Sequence, residues 1–305
     1  MRNAFADEVT NLAAEDNNII LISGDIGNRL FDKLREKTPK QFLNCGIAEG
    51  SMMSVAAGMG LCGLKPIVYT IAPFTTARCL EQIRLDVAYH NSPVIIVGVG
   101  AGLSYASLGP THHSLEDFAI LRAIPNIQIL APWDANSLRV CLRQALNTNL
   151  PTYIRIGKKG EKELTLISDV PKIGSTHTVF HGNDLCIIAT GTIAQEAIHV
   201  GTKLNDLGYS TELVLLHTIK PLSDKTIGYY IKKFNYIFII EEHALIGGLG
   251  QFCEALNSRM EKRTNIKIFG TADYFLKKVG SHEYAKKEFH LNQESLLNEI
   301  IKFIK

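Results

Sequence analysis

Continuous apolar runs alternate with stretches of helical spacing along this chain of 305 residues. In the first half, the runs lie at 65–71, 92–100, 126–132 and 151–157. Helix-like stretches lie at 50–62, 75–90, 114–123 and 134–147. Strands that are apolar throughout are typical of a parallel sheet covered by helices on both faces. The first half therefore predicts a doubly wound α/β domain.

The alternation returns after a charged segment at 157–176, which we interpret as a linker. Beyond it, strand-like runs lie at 184–191, 210–217 and 236–243. The helix-like stretch after the first of these runs ends at Gly208. Both halves have lengths within the usual range for a domain. The sequence thus predicts two doubly wound α/β domains, at about 1–160 and 175–305.

Composition excludes several classes of protein. The formal net charge of +2 argues against a nucleic-acid binder or a membrane-surface binder, since both usually need a basic excess. The longest apolar run has 11 residues, too few for a transmembrane helix. The acidic N-terminus lacks the apolar stretch of a signal peptide. Six scattered cysteines without a C-x-x-C motif indicate free thiols in a reducing compartment. We expect a cytoplasmic protein.

Two glycine-rich stretches resemble cofactor motifs only superficially. In GVGAGLSYASLG the third glycine of a dinucleotide fingerprint would fall on Leu103, so an NAD-dependent oxidoreductase is a weak alternative. SGDIGNRL has Ile26 where a GDG…N diphosphate motif needs glycine. We therefore expect no metal site in this chain.

Glu49 is the single carboxylate in the apolar, glycine-rich stretch FLNCGIAEGSMMSVAAGMGLCG at 42–63, with no cation nearby in sequence. A carboxylate in a pocket of low polarity favours its neutral form. Such a group can hydrogen-bond a heterocyclic nitrogen and share a proton with it. The alternative is a glutamate that only complements a helix dipole.

Several segments resemble thiamine-diphosphate enzymes of the transketolase superfamily, in order along nearly the whole chain. The stretch that follows Gly46 resembles the pyrimidine-binding region of those enzymes. The other matching segments are MRNAF (1–5), GDIGN (24–28), SLGPTHHSLEDFAILRAIPNIQILAPWD (107–134), PTYIRIGK (151–158) and IIEEHALIGGLGQ (239–251).

The resemblance implies a role for three residues toward the cofactor. Glu49 takes the position of the glutamate that contacts N1′ of the aminopyrimidine and starts proton removal from the thiazolium ring. Phe74 matches the aromatic residue that stacks on the aminopyrimidine, although it could equally be a core phenylalanine. Asp25 matches an aspartate near the cofactor, although it could equally be a helix N-cap.

Three further residues match substrate contacts. His112 matches a histidine that contacts substrate, and Arg155 matches an arginine that binds substrate phosphate. Arg2 falls where the superfamily has another phosphate-binding arginine. His112 and Arg155 are expected on the rim of the cofactor cleft, because open α/β sheets place their sites just beyond strand ends.

The chain also departs from the superfamily pattern. Leu108 replaces an aspartate that contacts the sugar C2 hydroxyl in transketolases. Arg29 and Arg78 are additional cations that could meet a larger anionic substrate, such as a nucleotide-linked sugar, or could be ordinary surface residues.

The resemblance begins at the pyrimidine-binding domain, so we expect the β subunit of a split transketolase. The cofactor, thiamine diphosphate, would then need an N-terminal subunit that holds the diphosphate and Mg²⁺, in an α2β2 assembly with β–β contacts. The alternatives are the β subunit of a 2-oxo-acid dehydrogenase E1 component, a 1-deoxyxylulose-5-phosphate-synthase-like enzyme and a non-catalytic assembly partner.

Overall fold

The computed structural model describes residues 1–27, 29–164 and 170–305. Its strands are β1 (Ile19–Ser23), β2 (Phe42–Asn44), β3 (Lys65–Ile71), β4 (Ile95–Val99), β5 (Gln128–Leu130), β6 (Thr152–Ile156), β7 (His177–Phe180), β8 (Leu185–Ala189), β9 (Thr211–Leu215), β10 (Thr218–Lys220), β11 (Tyr236–Ala244) and β12 (Asn265–Thr271). Its helices are α1 (Arg2–Glu15), α2 (Asp32–Lys37), α3 (Glu49–Leu61), α4 (Ala72–Thr75), α5 (Leu80–Gln82), α6 (Asp117–Arg122), α7 (Ala135–Thr148), α8 (Ala194–Asp206), α9 (Asp224–Lys233), α10 (Leu249–Arg259), α11 (His282–Glu288) and α12 (Gln293–Ile304).

The first sheet has seven strands in the order β10-β5-β6-β4-β3-β1-β2, and β1 to β6 pair in parallel. Strands β4 and β6 are buried along their whole length. Neighbouring residues of β3 enter different hydrophobic clusters: Val68 packs with residues of α3, and Tyr69 packs with residues of α1. Helices thus cover both faces, which explains why the strands are apolar throughout.

The second sheet has five strands in the order β12-β11-β8-β9-β7, with only β7 antiparallel to its neighbour among the described strands. Apolar residues of α8 and α12 form a cluster on one face, including Val200 and Ile300. Apolar residues of α9 and α10 cover the other face, and their cluster continues into the core beneath α3. The two sheets therefore share part of one hydrophobic core, and the predicted fold class is confirmed.

One strand crosses the predicted division of the chain. Strand β10, from beyond the predicted linker, pairs antiparallel with β5 at the edge of the first sheet. Its three residues include Thr218 and Lys220, too few and too polar to stand out as a strand in sequence. The domain boundaries at 160 and 175 stay a prediction, and residues 165–169 of the predicted linker lie outside the described residues.

The helix predicted over 75–90 is confirmed for residues 77–89, although this segment is not one regular α-helix: a 3-10 turn at Ala77–Cys79 precedes α5. Helix α4 ends at Thr75, and a π-helical segment at Ile83–Tyr89 follows α5. The hydroxyls of Thr75 and Thr76 both donate to the carbonyl of Ala72, and such side-chain hydrogen bonds compete with a continuing helix. None of the helices in the described parts of the chain has the length and apolarity to cross a membrane.

Candidate active site

Glu49 is the first residue of α3, beyond the carboxyl end of β2. A positive φ of 67° at Gly46 turns the chain between β2 and α3. The Gly46 carbonyl accepts a hydrogen bond from the Asp25 amide, which ties this turn to the end of β1. The Glu49 side chain is only 6% exposed. The fold therefore buries a carboxylate at the edge where the parallel strands end, as open α/β sheets place their sites.

Arg78 is the partner of this carboxylate. Its Nη1 lies 2.8 Å from Oε2 of Glu49, and its guanidinium carbon lies 4.0 Å from the ring centre of Phe74. No cation lies near Glu49 in sequence, but the chain between α4 and α5 brings one to it from 29 residues away. Arg78 is neither a free surface residue nor a cation directed only at substrate.

Phe74 also meets His112, which comes from the loop between β4 and α6. The two rings lie 5.4 Å apart in an edge-to-face arrangement, and the ring of Tyr105 lies 5.9 Å from that of His112. The structure thus brings together Glu49, Phe74 and His112, with Arg78 between the first two.

Two cations lie near Tyr105. The ammonium of Lys158 lies 4.5 Å from the Tyr105 ring centre. Burial raises the pKa of the Tyr105 hydroxyl, and the positive charge of Arg2 partly offsets that rise. Within the described residues, the buried Nε of Arg2 has no hydrogen-bond partner. Burial and then the charge of Lys158 lower the pKa of His112. Arg2, His112 and Lys158 therefore surround one tyrosine and could receive an anion.

Arg155 does not lie on an open rim, and that expectation is wrong. Its side chain is 8% exposed, and Nη2 donates to the carbonyls of Glu242 and Ser114 at 2.5 and 3.3 Å. Its Nε lies 3.4 Å from a carboxylate oxygen of Asp117, and its guanidinium carbon lies 4.4 Å from the Phe118 ring centre. The guanidinium is therefore enclosed between α6 and the second half of the chain.

Asp25 is exposed and lines a different cleft of about 490 Å³, which also contains Arg29 and Arg35. No hydrogen bond or ring contact of the described residues joins Asp25 to Glu49 or Phe74. The cofactor role of Asp25 stays a prediction.

Sequence reasoning missed Tyr105 and Lys158, and it named Arg78 only as an additional cation, without its contact to Glu49. Arg78 and Tyr105 carry no motif, and only the fold shows that they meet Glu49 and His112. Lys158 falls in the predicted linker, although its position directly beyond the end of β6 is a usable signal. Within the described residues, no group of three or more His, Cys, Asp or Glu side chains could hold a metal ion.

Comparison with known proteins places the chain in a family. Residues 1–160 match the pyrimidine binding domain of transketolase, and residues 174–295 match the transketolase C-terminal domain. The chain is 31% identical to a subunit of the apulose-4-phosphate transketolase of Phocaeicola vulgatus, over 100% of this chain and 97% of that protein. It is 30% identical to a 1-deoxy-D-xylulose-5-phosphate synthase of Methylacidiphilum infernorum, of which it spans only 48%.

Solved structures agree with this placement. A split gene transketolase, described as an inactive beta4 tetramer, matches with a TM-score of 0.88 and 26% identity, over 99% of this chain and 96% of that chain. The transketolase of Campylobacter jejuni shares the fold with a TM-score of 0.81 and 17% identity, and this chain covers 46% of it. The chain therefore belongs to the transketolase family, with the pyrimidine-binding and C-terminal domains of that family.

Proposed function

We propose that this chain is the C-terminal (β) subunit of a two-chain transketolase, which transfers a two-carbon ketol unit between sugar substrates. The observation that carries the proposal is the arrangement of Glu49, Arg78 and Phe74. A flat cationic group there hydrogen-bonds a buried carboxylate while it lies against an aromatic ring. The similarity to one subunit of a two-part transketolase supports the proposal.

These side chains fit the aminopyrimidine of thiamine diphosphate. Glu49 offers a buried hydrogen-bond acceptor and Phe74 offers an aromatic face, and the Arg78 guanidinium shows that one flat group can use both. When bound, thiamine diphosphate supplies a stabilised carbanion centre. Glu49 would hold a shared proton at the pyrimidine N1′, and Phe74 would stack on the ring. Arg78 has to leave its observed position for both contacts to form.

The proposed partner is an N-terminal transketolase-type subunit that binds the diphosphate and Mg²⁺. The relative from Phocaeicola vulgatus is named as a subunit, which supports a partner chain. The tetramer of the structural neighbour supports contacts between β chains. We propose an α2β2 complex on this basis.

We propose that the protein is cytoplasmic. The six cysteines are free in the structure, which fits a reducing compartment.

Arg2, His112 and Lys158 form the proposed substrate site. Lys158 and Arg2 supply positive charge for a sugar phosphate, and guanidinium groups suit phosphate geometry. The lowered pKa of His112 favours a neutral ring near pH 7, which can accept and donate hydrogen bonds with sugar hydroxyls. The relative from Phocaeicola vulgatus is named for a sugar phosphate, which agrees with this chemistry.

Reconstitution tests this function. The chain should be purified alone and together with an N-terminal transketolase-type subunit from the same genome, then supplied with thiamine diphosphate, Mg²⁺, a ketose phosphate donor and an aldose phosphate acceptor. We expect ketol transfer from the complex and none from the chain alone. Turnover of a 2-oxo acid instead would favour an E1 component. A complex without cofactor-dependent turnover would favour a non-catalytic partner.

A further inference from the structure

The loop between β4 and α6, residues 100–116, forms a closed turn that carries the site residues Tyr105 and His112. An isolated bridge joins its two ends, where Gly102 and Ser114 exchange backbone hydrogen bonds of 2.9 and 3.1 Å. Whatever holds these two ends therefore also holds the His112 ring against Phe74.

The C-terminal half of the chain holds both ends of the loop. A carboxylate oxygen of Glu242 accepts a hydrogen bond of 2.5 Å from the Leu103 amide. The Ala244 amide donates to the Leu115 carbonyl at 2.7 Å. The Gly280 amide donates to the carbonyl of Ala106 at 3.2 Å. Three contacts that are distant in sequence thus bind one loop.

Of these three contacts between described residues, only that of Glu242 uses a charged side chain; the other two join backbone groups. It is 4% exposed and lies in β11, two residues beyond Ile240, the last residue that pairs with β8. The Nε2 of His282 lies 3.0 and 2.9 Å from its two carboxylate oxygens. His282 therefore fixes the orientation in which Glu242 meets the Leu103 amide.

Gly102 shows how closely this carboxylate approaches the loop. A Cβ at Gly102 would lie 2.4 Å from a carboxylate oxygen of Glu242 and 2.9 Å from Nη2 of Arg155. Gly102 also has a φ of 64°, which glycine adopts without strain. The glycine lets Glu242 and Arg155 reach the base of the loop together.

We infer that Glu242, oriented by His282, is a positioning residue through which the C-terminal domain places His112 at the substrate site. Glu242 contacts neither Phe74 nor His112, and it acts by fixing the backbone at Leu103. Its effect on turnover rests on the proposed function, whereas its effect on the loop does not.

Hydrogen exchange of the purified chain, read by mass spectrometry over residues 100–116, tests the loop directly. In Glu242→Ala we expect the loop amides to exchange at least tenfold faster than in wild type. Glu242→Gln keeps an acceptor for Leu103 and should stay within about threefold of wild type. Arg122→Ala is the matched control, since its Nη1 joins α6 to the carbonyls of Gly247 and Gly248 without touching the loop.

If Glu242→Ala does not fold, His282→Ala takes its place, because the His282 side chain is 33% exposed and its removal deletes the donor to Glu242 while leaving Glu242 present. Faster loop exchange in this variant than in Arg122→Ala supports the inference. Loop exchange equal to wild type, or to Arg122→Ala, would overturn it.

The reconstituted complex provides the second readout. We expect the variant with faster loop exchange, Glu242→Ala or its substitute at His282, to raise KM for the sugar phosphate about tenfold. Its affinity for thiamine diphosphate should be unchanged. Glu242→Gln should have a KM close to that of wild type. Altered loop exchange in a complex without transketolase activity would uphold the positioning role and reject the proposed function. Unaltered loop exchange in a complex with transketolase activity would reject the positioning role and uphold the proposed function.

Discussion

Glu49 and Glu242 are both buried carboxylates, with side chains 6% and 4% exposed, yet their partners differ. Glu49 pairs with Arg78, whose side chain is 45% exposed and which lies in a short 3-10 turn at Ala77–Cys79. Glu242 meets a backbone amide and His282 inside the contact between the two halves of the chain. The first carboxylate has a partner that can move away, and the second has partners that the fold holds in place.

The free energies of the contacts made by Glu49 and by Glu242 differ in the same way. Arg78 is 45% exposed, and the contacts of exposed cations are weak: about 0–1 kcal/mol for an ion pair between exposed charges and about 0.5–1 kcal/mol for a cation–π contact. Displacing Arg78 from Glu49 and Phe74 is therefore a modest cost for a ligand that replaces both contacts. Removing the partners of Glu242 with no ligand to replace them would leave a buried charge unpaired, which costs about 3–5 kcal/mol. The comparison indicates that Glu49 serves exchange of partners and Glu242 serves permanent placement.

The largest expected effect is that of Glu49→Gln in the reconstituted complex. Glutamine keeps the size and a hydrogen bond but cannot share a proton with a ring nitrogen. Ketol transfer should fall by roughly 10²-fold or more, the scale of losing positioned acid–base catalysis. Steady-state kinetics and circular dichroism of the same preparation would measure it.

Glu242→Gln is the matched control for that experiment, because it makes the same chemical change at the carboxylate that positions the loop. It should leave turnover within a few-fold of wild type. Equal losses in both variants would remove the distinction between the two glutamates. Unfolding of Glu49→Gln with normal activity per folded molecule would make Glu49 structural.

The next effect compares two cations near the site, Lys158 and Arg155. A charged hydrogen bond contributes about 1.5–3 kcal/mol, so Lys158→Met should raise KM for a phosphorylated sugar by roughly ten- to a hundredfold at 1.4 kcal/mol per decade. Arg155→Met should instead lower the urea midpoint of unfolding. The Arg155 guanidinium donates hydrogen bonds to the carbonyls of Ser114 and Glu242 and forms an ion pair with Asp117, and methionine loses these interactions. The reverse pattern would restore Arg155 as the substrate cation.

The fold and the burial of Glu49 could be predicted from the sequence because both depend on local patterns. Continuous apolar runs predict buried parallel strands, and a lone carboxylate among small residues stands out. The rim position predicted for Arg155 is wrong because sequence cannot show that the Glu242 and Ser114 carbonyls cover it. The contact of Arg78 with Glu49 could not be predicted, because it depends on the turn at Thr76 and the 3-10 geometry of Ala77–Cys79, which the apolar pattern does not show.

A smaller effect is expected from Arg78→Ala. Without the guanidinium, thiamine diphosphate no longer competes for Glu49 and Phe74. Its affinity for the complex should rise about threefold to tenfold, from the modest energies of an exposed ion pair and a cation–π contact. Titration calorimetry measures it, with Arg84→Ala as control, because Arg84 pairs with Glu81 on the exposed surface. Weaker binding in Arg78→Ala would show that Arg78 holds the cofactor instead.

The smallest effect is the pH dependence of the Glu242–His282 pair. Burial opposes both charges, but their mutual attraction and hydrogen bond leave the pKa of His282 raised and that of Glu242 lowered. Lys286 opposes the charge on His282, while Glu283 favours it, and Arg155 favours the charge on Glu242.

A raised histidine pKa gives stability that is fully present below the ordinary value of 6.5 and lost as pH rises through the folded value. The lowered glutamate pKa gives stability that is present above 4.5 and lost as pH falls through the folded value. The pair therefore stabilises most between these two pH values. His282→Gln keeps a donor that does not titrate, so the stability gap between wild type and this variant in urea should be larger at pH 6 than at pH 9. An equal stability gap at both pH values would show that the pair stabilises the protein through its hydrogen bond alone, without a contribution from its charges.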